Sequence, residues 1–271
     1  MLNDTERAAE ALERAALKSL YDNSSQKVRA DLGLRLFEIE DVMALVSSKD
    51  PSIIINRAIG LGTQTPATPE TIRAVCGVYG EHGCGGFFLH AFDEDLSDEA
   101  RAAIEELGLV RRRNWMKFIR DPGPPHAVPT DLRIEEVRSA DADDFARIAC
   151  DSFEMSPATR PLVAGLAHDP RWHLFLSFDG ETPAGTGGLF VDHGFGWLDW
   201  GATDLHFRRR GSQGAIMAAR IALARAFHCK HLITETGEAV EGDPQHSYGN
   251  ILRAGFREFK SRANYAPAPV S

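Results

Sequence analysis

The stretch Thr203-Asp-Leu-His-Phe-Arg208-Arg209-Arg210-Gly211-Ser212-Gln213-Gly214-Ala215-Ile-Met-Ala-Ala-Arg-Ile-Ala-Leu223 decides the fold. Just before it, Trp197-Leu-Asp-Trp-Gly-Ala-Thr203 is rich in aromatic residues and closes on a β-branched one, as a strand does. Arg208 to Gly214 is a basic turn with two glycines. From Ala215 to Phe227 the apolar residues Ile216, Met217, Ile221, Ala224 and Phe227 recur at helical spacing, and the alanines supply propensity. Strand, glycine turn and helix in succession can hold phosphate. The first amides of a helix lack internal partners, and the helix dipole places partial positive charge there. Gly211 and Gly214 let the backbone approach a bulky anion. The three arginines add local charge in a chain whose formal net charge is -9.

Working outward, 271 residues suit two modules, and 43% hydrophobic content suits a globular chain with a real core. With 30 basic against 39 acidic residues, no global basic field draws nucleic acid or a membrane surface. Cys76, Cys84, Cys150 and Cys229 lack Cys-x-x-Cys spacing, and no His/Cys/Asp pattern has metal-ligand spacing, so neither a disulfide framework nor a metal is expected. No apolar run approaches ~18 residues, and the charged N-terminus lacks the core of a signal peptide. The cytoplasm is the expected compartment.

In order, residues 4–20 predict a helix capped by Asp4 or Thr5, and 21–27 a polar loop. Residues 32–39 fit a strand or a helical period. Pro51 to Ile55 predicts a strand. Thr68-Pro69-Glu70 opens a helix to about Tyr79, with a capping threonine, proline at the first position and acid in the first turn. Residues 85–89 predict a strand, 98–107 a helix stopped by Gly108, and 109–119 extended chain. Residues 121–130 carry four prolines and a glycine, which exclude helix and sheet and predict a semi-rigid linker. Beyond it, strand (132–138), two helices (141–151 and 156–167), three strands (172–178, 184–191, 196–203), the helix, a strand (231–234), a helix (247–253) and final strands (256–265) follow.

Arg208-x-x-Gly211-x-Gln213-Gly214, after a strand and opening a helix, resembles the acetyl-CoA pyrophosphate loop of the GCN5-related N-acetyltransferases, Gln/Arg-x-x-Gly-x-Gly/Ala. Gln213 departs from the Gly or Ala usual there. Asn250-Ile-Leu-Arg-Ala-Gly255-Phe256 is similar to the helix–Gly-Phe–strand that closes that fold. The resemblance covers residues 131–271. It implies an α/β (α+β) domain with a mixed central sheet of the acyl-CoA N-acyltransferase type. The first half, 1–120, parallels the second: His82-Gly83-Cys84, strand, helix, Gly108 against His228-Cys229, strand, helix, Gly255. It lacks the arginine loop. It reads either as a degenerate acetyltransferase lobe in tandem or as an unrelated α+β cap.

The resemblance implies transfer of an acetyl group from coenzyme A to a primary amine of a small molecule. The acceptor must lose a proton, the acyl oxygen needs a donor and the thiolate a proton. Asp199 and Glu235 are the candidate bases. Asp199, sharing a face with Trp197 and Gly201, is either a relay or a rim acid, and Glu235 either a second base or a solvated turn acid. The family's thiolate-protonating tyrosine falls at Ile251, so Tyr248 either replaces it or packs in the core. The backbone of Gly201, Ala202, Thr203 and Leu205 is implied for the pantetheine arm. Arg208, Arg209, Arg210, Gly211, Ser212, Gln213, Gly214 and Ala215 are implied for the pyrophosphate, and Asn250 for a further contact. The rival readings are a coenzyme-binding sensor without turnover, and transfer of another acyl group or to a hydroxyl. Monomer and homodimer are both open.

Overall fold

The computed structural model describes residues 2–243 and 246–269. The chain divides into two compact units, Met1–Trp115 with Lys260–Ser271, and Met116–Phe259. The division therefore runs through strands near both ends of the second half, not at the prolines, and the final strand belongs mostly with the first unit.

The first unit carries α1 (Asp4–Asp22), α2 (Gln26–Leu32), β1 (Leu34–Ile39), β2 (Val42–Ser47), β3 (Arg57–Ile59), α3 (Pro69–Glu81), β4 (Phe88–Ala91), α4 (Asp98–Glu106) and the first part of β5 (Leu109–Arg120). The second carries the end of β5, then β6 (Arg133–Glu136), α5 (Ala142–Ser152), α6 (Arg160–Ala164), β7 (Trp172–Asp179), β8 (Thr182–Asp192), β9 (Phe195–Thr203), α7 (Ser212–Ala226), β10 (His231–Gly237), α8 (His246–Arg253) and the start of β11 (Arg257–Pro267). The strand order is β1-β2-β3-β4-β11-β5 in the first unit and β5-β10-β9-β8-β7-β6 in the second. Each sheet is mixed: β3 and β4, and β9 and β10, pair in parallel, and β1–β2, β2–β3, β4–β11, β6–β7, β7–β8 and β8–β9 are antiparallel. This is the α/β class that the sequence predicts. No helix among the described residues is long and apolar enough to cross a membrane.

Local chemistry sets most boundaries. Thr68 caps α3 by accepting from the Thr71 amide, with Pro69 at the first position. Asn3, not Asp4 or Thr5, caps α1 in a reciprocal box with Glu6. The sequence reading misses α2, whose seven residues hold too few apolar positions to show a period; Ser25 caps it and left-handed Gly33 stops it. Residues 51–55 form a turn, not the expected strand. There the Asp50 carboxylate accepts from Ser52 N and the Asn56 amide bonds Ser47 N and Asp50 O, so side chains take backbone groups that a ladder would need. The repeated Cys motif has one geometry in both halves. The Cys84 amide donates to Tyr79 O (2.9 Å) and the Cys229 amide to Ala224 O (3.0 Å), each after a left-handed residue, Gly83 or His228.

In the first unit Val42, Ala44, Val46, Ile72, Val75, Tyr79, Leu89 and Ile104 form the apolar core on one face of the sheet. Alternation turns Arg57 and His90 to the other face. There Arg262 meets Glu13 (2.6 and 2.9 Å) and Glu10 (3.1 Å), both from α1, and Arg57 meets Glu13 (3.0 Å). His90 donates through Nδ1 to Asn264 Oδ1 (2.7 Å), while Nε2 is buried without a partner. Burial, then the Arg262 charge, holds the His90 imidazole well below its ordinary range. It is therefore neutral when folded but protonates when unfolded, so its contribution is full above pH ~6.5 and falls as pH drops below it. Between about pH 6.5 and 5, wild type is expected to lose roughly 1.4 kcal/mol per pH unit more than His90→Gln in urea unfolding. Parallel slopes would refute this.

Candidate active site

The site is built where β9 and β10 separate. They pair from Phe195↔His231 to Leu198↔Thr234 and no further, although β9 runs on to Thr203 and β10 to Gly237. Thr234 Oγ1 donates to Leu198 O (2.8 Å) at the last pair. Beyond it β9 turns toward β8 through a bulge: Asp199 faces Gly188, Ala202 faces Thr186, and Trp200 between them takes a positive φ of 57°.

Side chains clamp that bulge. Arg220 Nη1 donates to Asp199 O (3.0 Å) and Gly188 O (3.1 Å), and Thr186 Oγ1 donates to Trp200 O (2.8 Å). Gln213 Nε2 donates to Ala202 O (2.6 Å) and Thr203 Oγ1 (3.0 Å). The Trp200 carbonyl thus points at Thr186, and in a planar trans peptide the Gly201 N–H points the opposite way, away from the Thr186 hydroxyl. The bulge also overturns one expectation. Gly201 does not share a face with Asp199; a Cβ there would lie 3.0 Å from Gln213 Oε1, on the α7 side.

Asp199 and Glu235 each occupy the first position after the last pair, on opposite arms of the fork. Asp199 is half-buried and accepts from Trp197 Nε1 (3.1 Å) and Trp200 N (2.7 Å). Glu235 is not a solvated turn acid. Lys117 of β5, 1% exposed, places Nζ 3.3 Å from its carboxylate and 4.8 Å from the centre of the Trp197 ring. The four side chains lie together: two carboxylates, one buried ammonium and an indole. Tyr248 is elsewhere. Its ring packs edge-on against Phe118, which alternation turns to the face opposite Lys117, and its hydroxyl donates to Glu258. Burial and that carboxylate push the hydroxyl up to about 12. The expected thiolate donor is thus placed in the core with its proton engaged.

The phosphate turn follows directly. The helix starts at Ser212, earlier than predicted, with left-handed Gly211 (φ 82°) as its cap and no side chain capping the first turn. The Ser212, Gln213 and Gly214 amides precede the first helical bond, which Ala215 N makes to Gly211 O (3.0 Å); the Ala215 amide is therefore committed. Arg208 and Arg209 are exposed, and Arg208 Nε reaches Thr203 O (3.4 Å). Arg210 is held by Asp179 (2.7 Å) and Asp131 and braces the loop. The Ser212 hydroxyl is buried against Ser177 (2.8 Å), so only its amide faces outward. Leu205 is exposed in a short turn, and Asn250 accepts from Arg253 on its own helix (2.6 Å).

The proline-rich stretch is a wall of this site. Arg120 binds the carbonyls of Asp121, Gly123 and Pro124, and Thr130 Oγ1 donates to Arg210 O (2.7 Å). A Cβ on Gly211 would lie 2.3 Å from Pro129 O, and one on Gly214 2.7 Å from Val128. Sequence reasoning misses Lys117, Thr186, Arg220 and Thr234. Two of them leave a signal, Lys117 as a lysine inside the apolar run Trp115–Ile119 and Arg220 as an arginine on the apolar face of α7, four residues after Ile216; the two threonines leave none.

No protein-family model matches the chain. No curated protein matches it either. Among solved structures, it is similar to a GCN5-related N-acetyltransferase from Kribbella flavida over 97% of this chain and 96% of that one, at 15% identity and a TM-score of 0.63. The chain has the fold of the GCN5-related N-acetyltransferases. It is also similar to a GCN5-related N-acetyltransferase from Sphaerobacter thermophilus, over 84% and 80% of the two chains, at 14% identity and a TM-score of 0.58. In this acetyltransferase fold the separation of β9 and β10, the bulge and the uncapped start of α7 follow one another along the chain. No group of three or more His, Cys, Asp or Glu among the described residues could hold a metal.

Proposed function

We propose that the protein is an acetyl-CoA-dependent N-acetyltransferase acting on a primary amine of a small molecule. One observation carries the reading. β9 leads from its separation from β10 into a basic turn and a helix start whose first amides are uncapped and flanked by exposed Arg208 and Arg209. An opening between two strands suits a pantetheine arm, and an uncapped, basic helix start suits a pyrophosphate. The loop residues fit that group: Gly211 is left-handed and Gly214 admits Val128, so neither places a Cβ over the anion.

In this reading the backbone of β9 from Gly201 to Thr203 binds the arm, and Ser212 to Gly214 with Arg208 and Arg209 hold the phosphates. Glu235 or Asp199 takes the acceptor's proton, directly or through water. The Gly201 amide donates to the acyl oxygen as negative charge develops there. Two carboxylates against one ammonium leave the fork formally negative, which suits a cationic acceptor. The first unit is then a degenerate lobe of the same fold. The shared helix-end geometry at Cys84 and Cys229 and the parallel β3–β4 and β9–β10 pairs support that duplication.

Calorimetric titration tests the reading. Wild type is expected to bind acetyl-CoA with micromolar affinity, and Arg208→Ala/Gly211→Asp to lose binding at least ~100-fold through lost charge, strain and repulsion. An amine screen following free thiol then tests turnover. Binding without turnover of any amine would favour the sensor reading, which the engaged Tyr248 hydroxyl supports. No binding in the wild type would end the acetyltransferase reading.

A further inference from the structure

Arg220 is buried and charged and makes no ion pair, although the Asp199 charge acts on it from beyond contact. It is 2% exposed, and among the described residues no carboxylate lies within ion-pair distance of it. Burial pulls the guanidinium down to about 10, which leaves it charged near pH 7. A lone buried cation is expensive, so its retention needs a reason. Hydrogen bonding alone is not enough. Its bonds go to Gly188 O and Asp199 O, and a neutral hydroxyl does the same work for the next carbonyl, where Thr186 holds Trp200 O. Its Nε is buried with no partner.

The placement supplies the reason. Both acceptors sit at the β8–β9 bulge, which begins where the pairing of β9 with β10 ends. Nη2 lies 3.9 Å from where a Cβ of Gly201 would be, beside the peptide whose N–H points away from Thr186. Room is made by Gly187, where a Cβ would lie 2.9 Å from Arg220 Cζ and 2.6 Å from Ile216 Cγ2. A fixed positive charge in a dry site, beside a donor and away from water, is the arrangement that stabilises developing negative charge.

We propose that Arg220 is a positioning residue for acyl transfer. It fixes the bulge from the α7 side, and its charge strengthens the Gly201 amide as donor to the acyl oxygen. This rests on the acetyltransferase reading, and its signature does not require knowing the acceptor. Acetyl-CoA labelled with carbon-13 at the acetyl carbonyl reports polarisation directly, as a downfield shift on binding. Wild type and Arg220→Lys are expected to show that shift, and Arg220→Met, folded by circular dichroism, to lose most of it. Folded Arg220→Met with the wild-type shift would overturn the proposal while leaving acetyl-CoA binding intact. If Arg220→Met fails to fold or to bind, Gly187→Ala decides, because it keeps the guanidinium but displaces it. A reduced shift supports the proposal, and an unchanged one overturns it. A wild type that does not bind acetyl-CoA in the calorimeter would sink the acetyltransferase reading, and this inference with it.

Discussion

Replacing Arg262 by methionine is expected to lower stability by about 3–5 kcal/mol. Arg262 is fully buried and holds Glu13 (2.6 and 2.9 Å) and Glu10 (3.1 Å). Without it, two buried carboxylates lose the charge they share, while Arg57 stays bonded to Glu13 (3.0 Å). The cost arises from stranding those charges, not from losing the intrinsic worth of the pair. The combined variant Arg262→Met/Glu10→Gln, which leaves Glu13 paired with Arg57, should therefore recover a large part of the loss. Urea unfolding followed by fluorescence and circular dichroism measures both. A single-variant loss below about 1 kcal/mol would show that α1 is held by its apolar face (Leu12, Ala16, Leu20) alone.

Lys117→Met is the second large effect, and it separates stability from chemistry. Lys117 lies 3.3 Å from Glu235 and over the Trp197 ring, so its loss takes the ammonium from a nearly buried carboxylate, at a cost again of about 3–5 kcal/mol. Lys117→Met/Glu235→Leu replaces the pair with apolar volume and is expected to recover stability. It should not recover turnover. If Glu235 is the base, turnover of the amine selected by thiol release falls about 10²–10⁴-fold in the double variant. A double variant that is stable and active would assign proton removal to Asp199.

Much of the fold is legible in the sequence because its elements carry local punctuation. The Thr68-Pro69 start, the Gly108 stop, the proline run and the basic glycine turn each state their structure within a few residues. The placement of Asp199 and Glu235 near strand ends is also legible, because a position at the end of a strand is a local fact. What is hidden depends on neighbours. The bulge at Trp200 has no marker of its own; it exists because Arg220, Thr186 and Gln213 take the Asp199, Trp200 and Ala202 carbonyls from elsewhere. Gln213 looks like a defect in the glycine pattern until its amide is seen on Ala202 O. Lys117 is 118 residues from Glu235, so no window along the chain unites them.

The position of β11 has a consequence for biosynthesis. In the first unit's sheet the chain's last strand lies between β4 and β5, with Ala263 opposite Ala91 and Tyr265 opposite Leu89. Leaving the ribosome first gives this unit no head start. At ordinary elongation rates of ~5–20 residues per second, its sheet stays open along β4 for several seconds while the whole second half is translated. An exposed strand edge waiting that long is an opportunity for chaperones and an aggregation risk. A stop codon just before β11 would then damage the amino-terminal unit first.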